Sequence, residues 1–559
     1  MNYDPMTGKP LNKEQQQNTN APTSPSTPST PSAPPFYQGA YSQTDAPQNP
    51  PYLQPTPVVK PTYHGIDALF AWLSIAVGFA FVRAMPLNRT TLGSVLFFLL
   101  LYAFGGIYLR TSGVRLTRSA YLLAVCAVIL SVGMLTNGNA TTRGFLSLFL
   151  VLAFPFWLYF ASGLGGRDML GNDLIPYALR AVFVVPLTSL EHIFPALFAF
   201  RKKNAGVSRI FRTVGWIALG LCVAVVPTVI VILLLSYDKG FMNLLDRIFS
   251  FSIDGVWEFI RDLVLGFFVA VLVFGILFGV KWRKDRSKDI PEAPVKVDLH
   301  VFPKALLCTA ITPILVVYVI FFISQWDYYI SAFTHVLPGD LTYAAYAREG
   351  FFQLCGVCAL NAVLLILFRL LMRHGTKARD LVETLYSSVI SIFTLILIAT
   401  AMSKMFLYID SYGLTQKRVY ASWLMLVLAI SFVLVQVSSV CKKLRLIPAI
   451  ALTAVLCFGL IALPDVDGMI ASYNVNAYLN GDLGEIDVES IAAYGASSVP
   501  ALVELRDTLT ARPATTETDA ILTHTHSVLA MIECELSNAP NDFFYFNIPD
   551  ARARAVLKD

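Results

Sequence analysis

The 559-residue sequence is too apolar for a water-soluble protein: 55% of its residues are hydrophobic, 14% are charged and the mean hydropathy is +0.60. Soluble domains carry about 25% charged residues, so this composition requires a lipid environment. The net charge is only +5, and the basic residues are spread over short connections, which argues against a nucleic-acid partner.

Residues 1–62 are rich in Pro, Ser, Thr, Gln and Asn, most densely in the stretch PTSPSTPSTPSAPP at 22–35. Such a segment buries too little apolar surface to offset the entropy lost on ordering, so we predict a disordered cytoplasmic tail. A docking role for a protein partner is the alternative to a simple solvated tail. We expect no cleavable leader ahead of the first apolar run, which then acts as its own insertion signal.

Residues 63–464 predict an all-α, polytopic transmembrane helical bundle of about eleven spans, because most apolar runs match the roughly 20 residues needed to cross a bilayer. The predicted spans are Ile66–Val82, Thr91–Leu109, Ser119–Thr136, Gly144–Ala161, Val214–Leu235, Leu263–Val280, Phe302–Ile323, Gly350–Leu371, Leu385–Met405, Val419–Val440 and Leu446–Leu463.

Two further stretches are apolar but carry charges. Residues 176–200 contain Pro186 and Pro195 in their interior together with Glu191 and His192, and could be interfacial, re-entrant or spanning; we favour the first two. Residues 241–262 alternate apolar and charged side chains, which predicts a helix lying flat in the interface.

Lys and Arg counts predict the orientation. With the N-terminus cytoplasmic, the inner connections of this layout and the span ends beside them hold 24 basic residues, and the outer connections with their adjoining span ends hold ten. This is the positive-inside bias, so we expect a multi-pass protein of the cell (cytoplasmic) membrane with an extracytoplasmic C-terminus.

Residues 465–559 predict a small acidic helical domain outside the membrane. They carry 15 Asp plus Glu against 5 Lys plus Arg. Asp487 is placed to cap a short helix, Ser498 and Pro500 to open a second, and Glu517–Leu536 to form a third. A free-standing domain and one that leans on the membrane helices are both open.

Two elements resemble a bacterial membrane protein family known only as domain of unknown function 4173, related to the 4153 group. One is LTYAAYAREGF at 341–351; the other runs from DVDGMIASYN at 465–474 to VPAL at 499–502. The resemblance implies a bacterial cell-membrane location. It supplies no activity and no catalytic residues.

Polar residues at the outer ends of the predicted helices form a candidate outer rim. Its members are Asp327, Tyr343, Tyr346, Arg348, Glu349, Lys404 and Asp410. The rim could face a water-filled cavity, or it could be an aromatic and charged belt that only sets helix depth. Glu191 and His192 form a second candidate, an ionisable pair at membrane depth that binds an ion or relays protons, unless both are simply solvated.

Other motifs favour structural roles. Cys355 and Cys358 have a CxxC spacing but lie within a predicted span, which favours packing. Asn361 and Gln436 are expected to hydrogen-bond between spans. We predict no metal, no cofactor and no catalytic residue, since no nucleotide-binding, metalloprotease or serine hydrolase motif occurs.

Three functional hypotheses remain from the sequence. The first is transport or translocation of an unidentified ligand. The second is a non-transporting regulator or scaffold that senses the envelope through residues 465–559 and meets a protein partner there or through 1–62. The third is a membrane enzyme acting on lipid-linked substrates. Apart from the lipid bilayer, the sequence specifies neither a partner nor an oligomeric state.

Overall fold

The computed structural model describes residues 60–84, 91–165, 171, 173–199, 231, 235, 253–289, 302–324, 351–371 and 377–558, apart from 442, 514 and 541. The regular elements in these ranges are helical, as expected, and Pro61–Asp559 forms one compact unit. The predicted tail 1–62 lies outside the described residues except for its last three.

The membrane-domain helices are numbered in chain order. They are α1 Gly65–Ala84, α2 Leu92–Thr111, α3 Arg118–Ser131, α4 Gly133–Thr136, α5 Ala140–Ser162, α6 Leu174–Leu179, α7 Val185–Leu187, α8 Ile193–Leu197, α9 Ile253–Asp289, α10 Lys304–Ser324, α11 Phe351–Leu371, α12 Lys377–Tyr412, α13 Gln416–Val440 and α14 Leu446–Ala462.

In the described ranges, 8 helices are long and apolar enough to cross a membrane, or up to 10 if each of two bent pairs counts as one span. Ten of the eleven predicted segments coincide with helices of the structure, and the eleventh, Val214–Leu235, lies outside the described residues except for Val231 and Leu235. The chain is therefore an integral membrane protein with many spans.

The predicted flat helix over 241–262 differs from the structure where the two can be compared. Ile253–Asp262 forms the first turns of α9, a single helix of 37 residues that continues through the membrane. Apolar residues at helical spacing precede the span without a break signal such as Pro or Gly pairs, so the helix simply extends. Residues 241–252 lie outside the described part of the chain.

Side-chain hydrogen bonds join helices α10 to α13 to one another. Asn361 donates from its amide to Thr394 Oγ1 at 2.9 Å and accepts from the hydroxyl of Tyr318 at 2.5 Å. Gln436 donates to the carbonyl of Ser388 at 2.8 Å. Both predicted interhelical roles are thus confirmed, and each bond satisfies a polar group that lipid could not.

The C-terminal region adds five helices and two short 3₁₀ turns. The helices are α15 Val466–Asn480, α16 Val488–Ala492, α17 Val499–Ala511, α18 Thr516–Asn538 and α19 Ile548–Val556, and the 3₁₀ turns are Gly495–Ser498 and Phe543–Tyr545. The three predicted helices are present. Helix α15 meets α14 at 60°, so the chain leaves the membrane domain through a sharp bend.

The C-terminal domain packs directly on helix ends of the membrane domain. Asp467, 3% exposed, accepts hydrogen bonds from Asn139 at 3.3 Å and Gln416 at 2.8 Å. Asn474 exchanges two hydrogen bonds with the backbone of Leu414. Of the two arrangements left open by the sequence, the domain that leans on the membrane helices is the one observed.

Asp487 caps α16 as expected, with its carboxylate accepting from the backbone N–H of Ser490 at 2.9 Å and the hydroxyl of the same residue at 2.6 Å. These bonds favour the ionised form and lower the pKa of Asp487 below its usual 3.8. Because the folded pKa is the lower one, the stabilisation is complete above the unfolded pKa and is lost as pH falls through the folded pKa.

We expect Asp487→Ala to lower the local stability of α16 by about 1 kcal/mol at neutral pH. Amide hydrogen exchange over 488–492 in the full-length protein measures this. The difference from wild type should shrink as the pH falls below 3.8. Glu485→Ala, an exposed carboxylate in the loop before the cap, is the control and should leave the exchange unchanged.

Candidate functional site

A buried ion pair joins α1 to α9. The ammonium of Lys281 lies 2.5 and 2.7 Å from the two carboxylate oxygens of Asp67, which is fully buried. Tyr108, also fully buried, donates its hydroxyl to the same carboxylate at 2.9 Å, and the backbone N–H of His64 donates at 2.8 Å. We call Asp67, Tyr108 and Lys281 the charged triad.

A second buried carboxylate lies at the opposite ends of the same two helices. Asp262 is fully buried, 2.9 Å from the guanidinium of Arg83 and 3.0 Å from that of Arg261. From Asp67 to Arg83 α1 rises about 24 Å, and from Asp262 to Lys281 α9 rises about 28 Å. These lengths approach the roughly 30 Å of hydrocarbon, so the two ion pairs lie near opposite membrane edges.

Small residues bring α1 and α9 close enough for these pairs to form. Ala71, Ser74 and Gly78 on α1 are buried. A Cβ at Gly78 would overlap the carbonyl oxygen of Gly266 and lie 2.8 Å from the backbone nitrogen of Ala270. Backbone contact of this kind is how spanning helices pack tightly without large side chains.

A discontinuous segment, made of the arms Leu174–Leu187 and Leu190–Leu197, packs against the end of α9 that carries Lys281. Its first arm contains a π-helical turn, Arg180–Val184, and its second begins with a 3₁₀ turn, Leu190–His192; the arms meet at 44°. Ser189 at the bend packs against α9. A Cβ added to Gly279 of α9 would lie only 2.5 Å from the hydroxyl oxygen of Ser189. Glycines on α9 therefore let the bend approach.

Buried polar atoms with unused hydrogen-bonding capacity collect at this bend. The hydroxyl of Ser189 and the indole N–H of Trp282 are buried without a hydrogen-bond partner in the described structure. The ring of His192 lies edge-on to Trp282 with centroids 5.4 Å apart, and its Nδ1 is 3.0 Å from the hydroxyl of Tyr63. We call Tyr63, Ser189, His192 and Trp282 the bend cluster.

The bend cluster and the charged triad are neighbours on α9. The ring of Phe278 stacks on Tyr63 with centroids 5.0 Å apart and also lies 6.0 Å from the ammonium of Lys281. The turn of α9 that contains Phe278 and Lys281 therefore contributes to both the bend cluster and the charged triad. Together they offer a carboxylate, an ammonium, an imidazole and two free donors at one membrane edge, a set that could bind a polar or charged ligand.

The two members of the predicted ionisable pair differ in exposure. His192 is 6% exposed, within the bend cluster, whereas Glu191 points outward and is exposed. That the segment 176–200 does not cross the membrane stays a prediction.

Most of the predicted outer rim, namely Asp327, Tyr343, Tyr346, Arg348 and Glu349, lies outside the described residues. The other two members are on α12. Lys404 is 5% exposed and Asp410 is exposed, about 120° apart around the helix axis. In the described part of the chain, the rim therefore offers no shared polar face on α12.

Sequence reasoning did not single out the triad. In sequence, Lys281 is one of several basic residues that follow the span Leu263–Val280, and Asp67 is an isolated acid at the start of the span Ile66–Val82. A matched signal did exist: each of these two spans begins with an acid and ends with a base, so antiparallel packing brings the acid of each to the base of the other. Among the described residues, no group of three or more His, Cys, Asp or Glu is arranged to hold a metal ion.

The chain matches a known protein family. The model of the family described as domain of unknown function 4153 (DUF4153) matches residues 124–505, more than half of the chain. The protein belongs to the DUF4153 family. The expected likeness to family 4173 stays a prediction. No curated protein and no solved structure matches the chain.

The family match covers most of the described helices. It begins within α3 and ends within α17, so α9, the discontinuous segment and the first part of the C-terminal domain belong to the matched region. Asp67 and Tyr108 lie before it. This DUF4153 protein therefore completes its buried ion pair with residues from outside the matched region.

Proposed function

We propose that this DUF4153 protein binds a small polar ligand and moves it across the membrane, with the charged triad as a closed gate at one edge. The ion pair of Asp67 and Lys281 beside a bent helix carries the proposal. Buried ion pairs are weak contributors to stability, since well-packed apolar residues often replace them at no loss. Ionisable groups inside membrane proteins more often mark pathways.

The discontinuous segment supports the same function. Carriers commonly place broken helices at their binding sites, because freed backbone and polar groups can then meet a ligand. Here the break sets Ser189 and His192 against α9, one helix turn from the triad. A ligand that hydrogen-bonds the bend cluster could compete for Lys281 or Asp67 and so loosen the α1–α9 contact.

The proposed setting is the bacterial cytoplasmic membrane. The charged triad and the C-terminal domain lie at opposite ends of the α1–α9 pair, because Thr91 next to the far end of α1 hydrogen-bonds the domain at Phe546. With the positive-inside bias, the triad would face the cytoplasm and the domain the outside. A protease that removes a C-terminal tag only after cell lysis would contradict this.

Water access to the bend tests the carrier. In full-length protein without its native cysteines, reconstituted in sealed vesicles, Ser189→Cys should react with an impermeant maleimide. We expect Lys281→Met to change the rate of this maleimide reaction at least about tenfold. A tenfold change corresponds to a shift of about 1.4 kcal/mol in the equilibrium between the closed and the water-accessible state. Leu122→Cys, 65% exposed on the apolar surface of α3, is the control and should not react.

Two outcomes would overturn the carrier. One is complete protection of Ser189→Cys with the reagent on either face, in both backgrounds. The other is a rate that Lys281→Met leaves unchanged, because the triad would then gate nothing.

The second candidate, a regulator that senses the envelope, is favoured by one observation. Asp467 of the C-terminal domain is hydrogen-bonded to the ends of both α5 and α13, so a force on the domain reaches two spans. Deletion of residues 487–559 separates the candidates: a regulator would lose its cellular effect while the spans still insert.

A further inference from the structure

An aromatic segment of the C-terminal domain lies beside the ends of two spans. We define it as Phe543, Phe544, Tyr545 and Phe546. Its three phenylalanines are 66%, 56% and 49% exposed, in chain order. Three exposed phenylalanines within four residues are costly in water, so this surface has a partner of apolar character.

The segment is held at the level where the spans end. The hydroxyl of Thr91, itself 1% exposed, donates to the carbonyl of Phe546. Thr91 directly precedes α2, and the 3₁₀ turn Phe543–Tyr545 packs against that helix. The segment therefore continues the surface of the membrane domain rather than projecting away from it.

A cavity lies behind the segment. It is open to the surface and has a volume of about 390 Å³, between the aromatic segment, Leu92 at the start of α2 and Leu135 near the end of α4. The rest of its lining comes from the domain and is mixed in polarity: Pro540 and Ala551 are apolar, whereas Asp542, Asn547, Asp550 and Arg554 are polar or charged. Volumes of about 300–1,000 Å³ are typical of small-molecule sites. Apolar residues from the spans and from the domain thus share one wall.

We propose that the aromatic segment is a lipid-binding anchor: Phe543 and Phe544 enter the adjacent leaflet, and part of a lipid chain occupies the cavity behind them. A bilayer surrounds every span at the depth of Leu92, so lipid is the partner that these side chains meet there. Aromatic side chains favour this boundary, where apolar rings meet the headgroup level. The anchor fixes the C-terminal domain on the membrane surface independently of any transport.

Photolabelling of the full-length protein tests the anchor. The protein is reconstituted in phosphatidylcholine vesicles that contain a phospholipid with a diazirine in its acyl chain, irradiated, digested and analysed by mass spectrometry. We expect label on the peptide that carries 543–546 and on the spans, and background label on the exposed face of α18. Phe543→Ser with Phe544→Ser should reduce the segment to that background, with the label on α1 and α5 unchanged.

A conservative variant separates lipid contact from misfolding. Phe543→Leu with Phe544→Leu keeps the apolar surface and should keep the label. Segment label no higher than α18 in the wild type would overturn the proposal, as would segment label that persists in the double serine variant. Cross-links between two copies through the segment, increasing with the protein-to-lipid ratio, would replace the lipid by a second chain and equally overturn it.

Discussion

Lys281→Met should lower the free energy of unfolding by about 3–5 kcal/mol, because it leaves the carboxylate of Asp67 buried without its cation. Tyr108 and the backbone of His64 would still donate to that carboxylate, and neither supplies a charge; the imidazole of His64, 65% exposed and 3.5 Å away, is charged only when protonated. Thermal unfolding of the full-length protein in one fixed detergent measures the loss. We expect this to be among the largest effects of any single substitution in α9.

The double variant Asp67→Asn, Lys281→Met should recover much of that stability, because it removes the uncompensated charge. Lys284→Met makes the same chemical change one turn away, where the side chain is half-buried, and should cost little. Arg83→Met should also cost less, about 1 kcal/mol, because Asp262 keeps Arg261. If Lys281→Met were as mild as Lys284→Met, the ion pair would not hold α1 to α9.

Gly78→Ala should also destabilise the protein strongly, by about 2–3 kcal/mol. The added methyl would overlap the backbone of Gly266, and backbone cannot move aside as a side-chain end can. The higher helix propensity of alanine, worth about 1 kcal/mol, opposes only part of this cost. Unfolding midpoints in detergent measure the change. The separation of α1 and α9 should also weaken the charged triad.

Gly356→Ala is the matched control. Gly356 lies within α11 with no atom close to the position of an added Cβ, so the same substitution should be neutral or slightly stabilising there. Equal effects at the two glycines would show that helix propensity, not the close approach of α1 and α9, decides the outcome at Gly78.

Features that depend on nearby residues were predictable. Long apolar runs predicted the spans because lipid leaves backbone groups no partner except the helix itself. Asp487 and Pro500 marked helix starts because caps act within three or four residues. Asn361 and Gln436 required partners in lipid, so hydrogen bonds between spans were expected before the partners Thr394 and Ser388 were known.

Features that depend on distant residues were not predictable. Residues 253–262 looked like a separate interfacial helix, because charge alternation alone does not reveal that Asp262 is buried against Arg83. Glu191 and His192 are adjacent in sequence, yet only His192 is buried, because Tyr63 and Phe278 from distant parts of the chain pack against it.

The sequence by itself determined that this chain is an integral membrane protein of many helices, since composition and run length act locally on every segment. The tertiary structure alone decided the site. Asp67 and Lys281 are 214 positions apart, and they meet because small residues let α1 and α9 pack closely in opposite directions. Hydropathy carries no information about which spans become neighbours, so a contact between two of them depends on the packing of the whole bundle.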